Sequence, residues 1–503
     1  MCNELRSKSP FTLPVVLVGF AVLVAGGCNG DDDAEFRAVH AVPDAPAVDV
    51  YVNGEREVES LEYGQASDFE DVDAGTFDVE VRPAGADPGD PALFTSSPIE
   101  IFEDEELTAV VAGFLEPEDN DTELQMIPVL TGIDDPDDDI ARVHAVHASP
   151  DAPAIDIDIG DDGTSELQGL EPLTAAAPLD FEAPEDNFRV VALADGERLT
   201  SFTLPPLDDE EEYLVVALGL AGEVPRDRTA LHFAVIDDDS DVGFIAQDPT
   251  LTFVHAVSDA PAVDALIESE DDEPFEQAEA TSFAFGELSE PLQVPPDDYD
   301  VEVRLSEEEQ AVFGDDIDDL DAGQRYLGVI GGSAGDDNLE LVTLGDEFDL
   351  EVVESQARVV HASPDAPDVD VSLIENGALD VPVLAQDVEF GDDDPDEAFT
   401  VPAGAQTLGL AEAGDTTPIA TFDVDVPEET NFFAVVAGAA DPLDGEEPLQ
   451  LFLIDTTVFP WEIEIAGVDD VDNDNDNDDD NDNDDDNDND DDDNDNGKSH
   501  QAW

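Results

Sequence analysis

The stretch Val360-His361-Ala362-Ser363-Pro364-Asp365-Ala366-Pro367-Asp368-Val369-Asp370 decides the fold, because four near-copies of it occur in the chain. The other three copies occupy residues 39–49, 146–156 and 254–264. Their histidines are separated by 107, 108 and 106 residues, a period that is too long for a solenoid repeat and suits a small domain. The sequence of 503 residues therefore predicts four similar domains in tandem.

Apolar residues within each unit recur with a period of two, as in Val48–Val52 and Ile155–Ile159. This alternation predicts strands with the aliphatic side chains on a buried face and the aspartates on a wet one. Three later landmarks recur in order, at 77–82, 188–193, 299–304 and 406–410, then at 107–113, 213–219, 326–332 and 432–438, then at 124–130, 231–236, 339–344 and 449–454. No window has a helical period, so we predict an all-β chain of four tandem immunoglobulin-like antiparallel β-sandwich domains with a disordered acidic C-terminal tail.

The predicted division follows the repeats and the acidic joins between them. It comprises a lipoprotein-type signal peptide at 1–27, a tether at 28–35, sandwiches at 36–136, 137–246, 247–352 and 353–466, and an Asp/Asn-rich tail at 467–503. The joins are short, so neighbouring domains are expected to be strung close together with limited but real hinge freedom.

The repeated phrase is predicted to be strand, corner, strand, with a stiff corner such as Pro43-Asp44-Ala45-Pro46. A histidine followed four residues later by an aspartate also suggests metal ligation or catalysis. Alternation, however, places His40 on the face of Phe36 and Ala38, where a half-buried structural histidine bonding the corner is the favoured interpretation. The structural motif so predicted comprises His40, Asp44, His147, Asp151, His255, Asp259, His361 and Asp365.

The repeated phrase resembles the opening of a known domain family. Residues 357–371 closely resemble the opening of the domain-of-unknown-function family 4397, and Val401-Pro402-Ala403-Gly404 resembles its later signature. The second copy carries an extra His144, and the third departs at Ser258 and Ala265. The resemblance implies an exported β-sandwich module of bacteria and archaea, often in tandem, and it brings no established activity.

Charge is the outlying quantity of the composition. The chain has 133 acidic residues against 14 basic ones, and about −103 of the net charge of −119 remains when the 16 aspartates of 472–496 are set aside. Such a surface repels nucleic acid and anionic lipid headgroups, so we exclude both as partners.

The acidic, lysine-poor balance predicts a halophilic or marine host and a fold that needs salt to screen its self-repulsion. Thermal melts should therefore shift upward from low to multimolar salt. An ordinary acidic secreted protein is the open alternative, and melts that do not respond to salt would favour it.

The first thirty residues predict export. Arg6 and Lys8 precede an apolar run of 14 residues from Phe11 to Val24, followed by Ala25-Gly26-Gly27-Cys28. This arrangement is that of a secretory signal, and the segment around Cys28 resembles a bacterial lipobox. Cys28 is thus the predicted lipidation site, and the expected location is the cell envelope, as an exported, membrane-anchored lipoprotein of the outer membrane or cell surface. Plain cleavage near Gly27 and an uncleaved membrane anchor stay open.

The C-terminal tail is almost pure Asp and Asn from 472 to 496, which predicts disorder. Asp492, Asn494, Asn496 and Gly497 match the pattern with which a calcium-binding loop begins. The twelfth position of such a loop, however, would be Trp503 rather than a glutamate. Weak Ca²⁺ binding by the tail is therefore the open alternative to a purely solvating role.

No catalytic, cofactor-binding or metal residue is assigned, because the sequence contains no nucleophile elbow, phosphate loop or HExxH helix. The predicted function is a non-enzymatic spacer, adhesin or binding scaffold with an unknown extracellular or periplasmic ligand. A Ca²⁺-binding surface protein is the alternative, and an exported hydrolase a remote one.

Overall fold

The computed structural model describes residues 33–468, apart from 88–89, 118–121, 133–135, 239, 270–276, 307–309, 336–337, 351–352 and 444, and without the side chains of 33 and 393–397. Cys28, the predicted signal peptide and the Asp/Asn run at 472–496 lie outside the described residues. The described residues form strands and no helix. No segment of them is therefore a helix of the length and apolar character needed to cross a membrane.

The strands of the first two domains are short and closely spaced. Domain 1 contains β1 (Asp33–Ala41), β2 (Val48–Val52), β3 (Glu55–Leu61), β4 (Glu70–Asp73), β5 (Gly75–Phe77), β6 (Val79–Pro83), β7 (Phe94–Thr95), β8 (Ile99–Ile101), β9 (Glu106–Ala112) and β10 (Gln125–Thr131). Domain 2 contains β11 (Ile140–His147), β12 (Ile155–Ile159), β13 (Ser165–Leu170), β14 (Thr174–Ala175), β15 (Leu179–Glu182), β16 (Phe188–Ala194), β17 (Glu197–Leu204), β18 (Glu212–Leu218), β19 (His232–Ile236) and β20 (Val242–Ile245).

The last two domains repeat this order. Domain 3 contains β21 (Thr250–His255), β22 (Val263–Ser269), β23 (Ala278–Phe283), β24 (Leu292–Gln293), β25 (Tyr299–Leu305), β26 (Ala311–Ile317), β27 (Arg325–Gly331) and β28 (Glu340–Gly345). Domain 4 contains β29 (Gln356–His361), β30 (Val369–Glu375), β31 (Ala378–Leu379), β32 (Ala385–Val388), β33 (Asp393–Thr400), β34 (Gly404–Glu412), β35 (Pro418–Val426), β36 (Asn431–Ala437), β37 (Gln450–Asp455) and β38 (Glu462–Gly467). The predicted landmarks all fall on strands.

Each domain is a sandwich of two main sheets, and the repeated phrase crosses from one sheet to the other. In domain 1 the sheets run β10-β9-β1-β4 and β3-β2-β6-β7, and the later domains follow the same plan. The histidine strand therefore belongs to one sheet and the strand after the corner to its partner. Pairing is antiparallel, as predicted, apart from one pair per domain, in which the histidine strand lies parallel to β9, β18, β27 or β36.

Alternation along the histidine strand separates an inner from an outer face. Phe36 and Ala38 point into the core of domain 1, on the face of His40 that the sequence predicts. Val39 and Ala41 point the other way, into a second apolar cluster. The histidine strand is thus buried on both faces, unlike a strand of a half-buried sheet.

The second cluster joins domain 1 to domain 2. Its domain 1 side includes Val110 and Ile127, and its domain 2 side includes Val146, Val216 and Ile236, all buried. Domains 3 and 4 are joined in the same way by a cluster in which Val254, Leu327, Val329 and Phe348 meet Val360, Phe433, Val435, Phe452 and Trp461. The chain is therefore two pairs of fused sandwiches, and the apolar sheet faces buried within each pair oppose the hinge freedom predicted there.

The junction between domains 2 and 3 is polar. Arg189 donates from Nη2 to the carbonyl oxygen of Gln293 at 2.7 Å, and Ser201 donates its backbone N–H to the Gln293 side chain at 2.8 Å. Arg226 of domain 2 lies 3.8 Å from the buried carboxylate of Asp346. Asp346, which the sequence places in an acidic join, is also ion-paired with Arg325. Hydrogen bonds and an ion pair thus connect the two pairs of domains.

Candidate functional site

The four histidines of the repeated phrase occupy equivalent positions and make the same hydrogen bond. Each Nε2–H donates to the carbonyl oxygen of the proline that ends the corner, at 3.0 Å for His40, His147 and His255 and 3.1 Å for His361. Each side chain is at most 1% exposed. The predicted half-burial is therefore too small, because the histidine lies on the inner face of its strand, between the two sheets of its own sandwich, as His40 does beside Val48 and Val50.

The other ring nitrogen is also used in three of the four copies. Nδ1 accepts the backbone N–H of Val42, Val257 or Ser363, at 3.1–3.3 Å. In the second copy Nδ1 of His147 has no hydrogen-bond partner among the described residues. A ring with both nitrogens bound to the backbone has none left to transfer a proton or to bind an ion. The purely architectural role of these histidines stays a prediction.

Burial lowers the pKa of all four histidines, although the hydrogen bond to the proline carbonyl opposes the shift. The unfolded chain, with an ordinary histidine pKa of about 6.5, then binds more protons than the folded chain at acidic pH. We expect each histidine to add up to about 1.4 kcal/mol per pH unit to the loss of unfolding free energy as the pH falls below about 6.5. Denaturant titration at pH 8 and pH 5.5 measures the slope.

His361→Gln isolates one such contribution from the many carboxylates, some of which titrate in the opposite direction. Trp461, which is buried in domain 4, reports unfolding by its fluorescence once Trp503 is replaced by phenylalanine. The variant should show a shallower acid loss than the parent. A slope identical to that of the parent would contradict a neutral, buried His361.

The aspartate of each corner connects to a loop 70–76 residues further along the chain. Asp44 accepts the N–H groups of Leu115 and Glu116 at 2.8 and 2.9 Å, and Asp365 those of Ala440 and Asp441 at 2.9 and 3.0 Å. Asp151 and Asp259 bind the equivalent loops in domains 2 and 3. Burial acts to raise the pKa of Asp259, but the N–H groups that it accepts outweigh burial and hold that pKa below its ordinary value. The corner thus fixes the end of the sandwich.

We expect Asp365→Ala to lower the unfolding free energy of domain 4 by about 1–3 kcal/mol, because two N–H groups lose a charged acceptor. Asp365→Asn should cost less, since one acceptor oxygen remains. Asp368→Ala is the matched control: Asp368 is exposed, and the other three copies have alanine at its position. Equal losses from Asp365→Ala and Asp368→Ala, measured with Trp461 fluorescence, would remove the proposed role.

A second aspartate, which closes the phrase, has a structural role that the sequence reasoning missed. Asp49 is fully buried and accepts the N–H groups of Ser60 and Gly85 at 2.9 and 3.1 Å. Its equivalents accept an N–H from the neighbouring strand in the same way, at Gly169 for Asp156, Ser282 for Asp264 and Asp387 for Asp370. All four donor residues, Ser60, Gly169, Ser282 and Asp387, have a left-handed backbone with φ between 55° and 64°. The wet face predicted for Asp49 is therefore wrong, as it is for Asp158, which is 3% exposed.

The described His and Asp side chains of the corners are hydrogen-bonded to backbone groups, and this use explains their repetition without catalysis or metal binding. Among the residues that the structure describes, no three or more His, Cys, Asp or Glu side chains are grouped so as to hold a metal ion. The extra His144 bonds Glu212 at 2.9 Å, and Glu212 in turn accepts the N–H of Gly132 in domain 1 at 2.7 Å. His144 thus belongs to the junction of domains 1 and 2.

A family model described as "Domain of unknown function (DUF4397)" matches the chain four times, at residues 34–158, 141–265, 249–372 and 355–461. The chain belongs to the DUF4397 family. Each match begins at a histidine strand, as the resemblance of the repeated phrase implies, and the four together span the described sandwiches. Tandem DUF4397 domains in an all-β chain are thereby confirmed.

Other comparisons add little to this assignment. No curated protein matches the chain. Among solved structures it is similar to one titled "The Bacillus anthracis TIE protein", at 9% identity and a TM-score of 0.15, over 81% of this chain and 69% of that one.

Proposed function

We propose that this DUF4397 protein is a non-enzymatic, lipid-anchored protein of the cell envelope that serves as a repeat-built spacer, adhesin or binding scaffold. Cys28 is the acyl acceptor, and the four sandwiches extend the chain from the membrane. The observation that carries the proposal is that the repeated His and Asp side chains are hydrogen-bonded to backbone groups. A motif with this structural role gains from repetition by making the protein longer or by multiplying its binding surfaces.

Stiff joining of the domains supports a spacer or scaffold. One arginine crosses each junction to a carbonyl oxygen of the next domain: Arg37 to Asp237 at 2.9 Å, Arg189 to Gln293 at 2.7 Å and Arg325 to Thr456 at 2.8 Å. Three of the 12 arginines of the chain are therefore used to join neighbouring domains. Five donors on a planar group suit arginine to such bridging.

The anchor is tested by expressing the full chain and Cys28→Ser in a lipoprotein-processing bacterial host. The parent should partition into the detergent phase and take up labelled fatty acid, and Cys28→Ser should do neither. Cys2→Ser is the matched control, because Cys2 lies in the leader and should be dispensable. Acylation that survives Cys28→Ser would overturn the anchor.

The Asp/Asn run at 472–496 favours a second function, Ca²⁺ binding at the cell surface. Calorimetric titration of the mature chain with Ca²⁺, with and without residues 468–503, distinguishes it from the scaffold. Heat that disappears with the tail supports Ca²⁺ binding, and identical titrations exclude it.

A further inference from the structure

Two glutamates from neighbouring domains occupy equivalent places at the junction of domains 1 and 2. Glu106 begins β9 and Glu212 begins β18. Each pairs with the residue five positions before the histidine of its own domain, which is Glu35 in domain 1 and Arg142 in domain 2. The sheets that carry these strands face each other across the shared apolar cluster. Residues at matching positions of the two domains are therefore brought to the same junction.

The join between the domains shows how near the two carboxylates are to each other. Gly132 donates its N–H to Glu212 Oε2 at 2.7 Å, and the carboxylate of Glu106 lies where a Cβ on Gly132 would be. Glu106 Oε2 also accepts the hydroxyl of Thr131, at 3.3 Å. Glu212 is 8% exposed and Glu106 is half-buried, so solvent screens the repulsion between them only in part.

The charges around the two glutamates do not balance. Glu212 accepts a hydrogen bond from His144 Nε2 at 2.9 Å and lies 3.7 Å from Arg142, which also pairs with Asp180. The basic group beside Glu106 is the buried Arg37, and its guanidinium donates to the hydroxyl of Thr108 and to a backbone carbonyl oxygen of domain 2, both at 2.9 Å. The remaining charged groups that face this cluster are all acidic: Glu35, Glu211, Asp237 and Asp238.

The junction of domains 3 and 4 has a balanced arrangement at the same positions. Arg325 and Asn431 replace the two glutamates there, because they pair with the corresponding residues of β21 and β29. Arg325 forms a buried ion pair with Asp346 and donates to the carbonyl oxygen of Thr456 in domain 4 at 2.8 Å. Two pairs of domains that are otherwise built alike thus differ in charge at one place, with two like charges in the first pair and an ion pair in the second.

The surroundings of Glu106 make it the member of the first pair that takes up a proton. Burial raises the pKa of Glu106, and the charges of Glu35 and Glu212 raise it further. The hydroxyl of Thr131 and the charge of Arg37 oppose the shift without cancelling it. Burial also acts to raise the pKa of Glu212, but the hydrogen bonds that Glu212 accepts hold that pKa below its ordinary value.

We propose that the junction of domains 1 and 2 is a joint that responds to pH and salt. Repulsion between Glu106 and Glu212 weakens the joint when both are ionised, and a proton on Glu106 or concentrated salt strengthens it. A glutamate whose pKa is raised on folding stabilises the folded state fully below its unfolded pKa of about 4.3, and this contribution is lost as the pH rises through the folded value. The joint therefore tightens on acidification, whereas the corner histidines destabilise the fold in the same direction of pH. The junction of domains 3 and 4 lacks this response.

Hydrogen exchange of the full chain in 0.1 M KCl, followed by mass spectrometry, tests the joint. Glu106→Gln keeps the shape of the side chain and removes its charge. At pH 8 this variant should lower the opening constants of amides in β9 and β18 about three- to tenfold, because one pKa unit corresponds to a tenfold change in an equilibrium constant. The gain should be smaller at pH 5, where the parent binds a proton at Glu106, and smaller at pH 8 in 3 M KCl, where the screening length falls below about 3 Å.

Glu100→Gln is the matched control, since Glu100 is an exposed glutamate of the same domain on β8, which pairs with β5. Amides in β27 and β36 of the balanced pair should not respond to Glu106→Gln. Equal responses to the two variants would reflect net charge alone, and a gain as large at pH 5 as at pH 8 would reflect side-chain shape alone; either result overturns the inference. A gain that is undiminished in 3 M KCl overturns the response to salt. The inference goes beyond the proposed function and does not depend on Cys28, so either can fail while the other stands.

Discussion

Gly438→Ala should lower the unfolding free energy of domain 4 by about 3–5 kcal/mol, a large share of the roughly 5–15 kcal/mol of an ordinary domain. Gly438 directly follows β36 and has φ of +91°, and a Cβ built on it would lie 2.2 Å from the carbonyl oxygen of Pro448. The obstacle is backbone, so no side chain can rotate away. Trp461 fluorescence during denaturant unfolding of a Trp503→Phe parent measures the loss.

Gly414→Ala separates the two causes of that loss. Gly414 has φ of +80° in the same domain, but a Cβ there would meet nothing within 4 Å. It should therefore cost only about 1 kcal/mol, the strain of a left-handed backbone. If the two variants lost equal stability, the close approach to Pro448 would not be what makes glycine necessary.

The same close approach occurs once per domain. A Cβ on Gly113, Gly219 or Gly332 would lie 2.6, 2.0 or 2.3 Å from a carbonyl oxygen across the loop. Each glycine follows the strand that is parallel to the histidine strand, and the next residues supply the N–H groups that the corner aspartate accepts. The glycine allows the chain to turn directly after the strand, which brings the N–H groups of the loop to the corner aspartate. Corner and loop are thereby joined at one end of the sandwich.

Local patterns predicted the strands because the information is local. A period of two marks a strand, and alternation from Phe36 through Ala38 to His40 gives the inner face without any knowledge of the partner sheet. The corner prolines and the spacing of the copies gave the domain count. These features need only a few consecutive residues or a simple repetition.

The remaining features depend on contacts distant in sequence. The corner aspartate bonds a loop more than 70 residues away, and the buried Asp49 depends on the left-handed backbone of Ser60 in the neighbouring strand. The fusion of the domains had a readable signal: Leu107–Ala112 is almost continuously apolar, which is typical of a strand buried on both faces. A cavity whose wall includes Tyr63, His232 and Gln324 had no such signal, since these residues of three domains are up to 261 positions apart.

Phe433→Ala should weaken domains 3 and 4 together. Phe433 is fully buried in the shared cluster, with its ring 5.3 Å from Phe348 of domain 3 and 6.0 Å from Trp461 of domain 4. Removing the ring leaves a cavity between two sheets, at a cost of about 3–5 kcal/mol. Native-state hydrogen exchange of amides in β27 of domain 3 and β34 of domain 4 should show lower opening free energies in both strands.

Phe422→Ala provides the comparison that gives this result its meaning. Phe422 is equally buried, but in the inner core of domain 4, among residues of that domain alone. Its truncation should lower the opening free energy of β34 by a similar amount and that of β27 by much less, because the face that domain 4 presents to domain 3 stays intact. Protection of β27 that is unchanged in Phe433→Ala would mean that the shared cluster does not stabilise domain 3. The domains would then be independent beads, and a stiff pair of sandwiches could not be the unit from which the spacer is built.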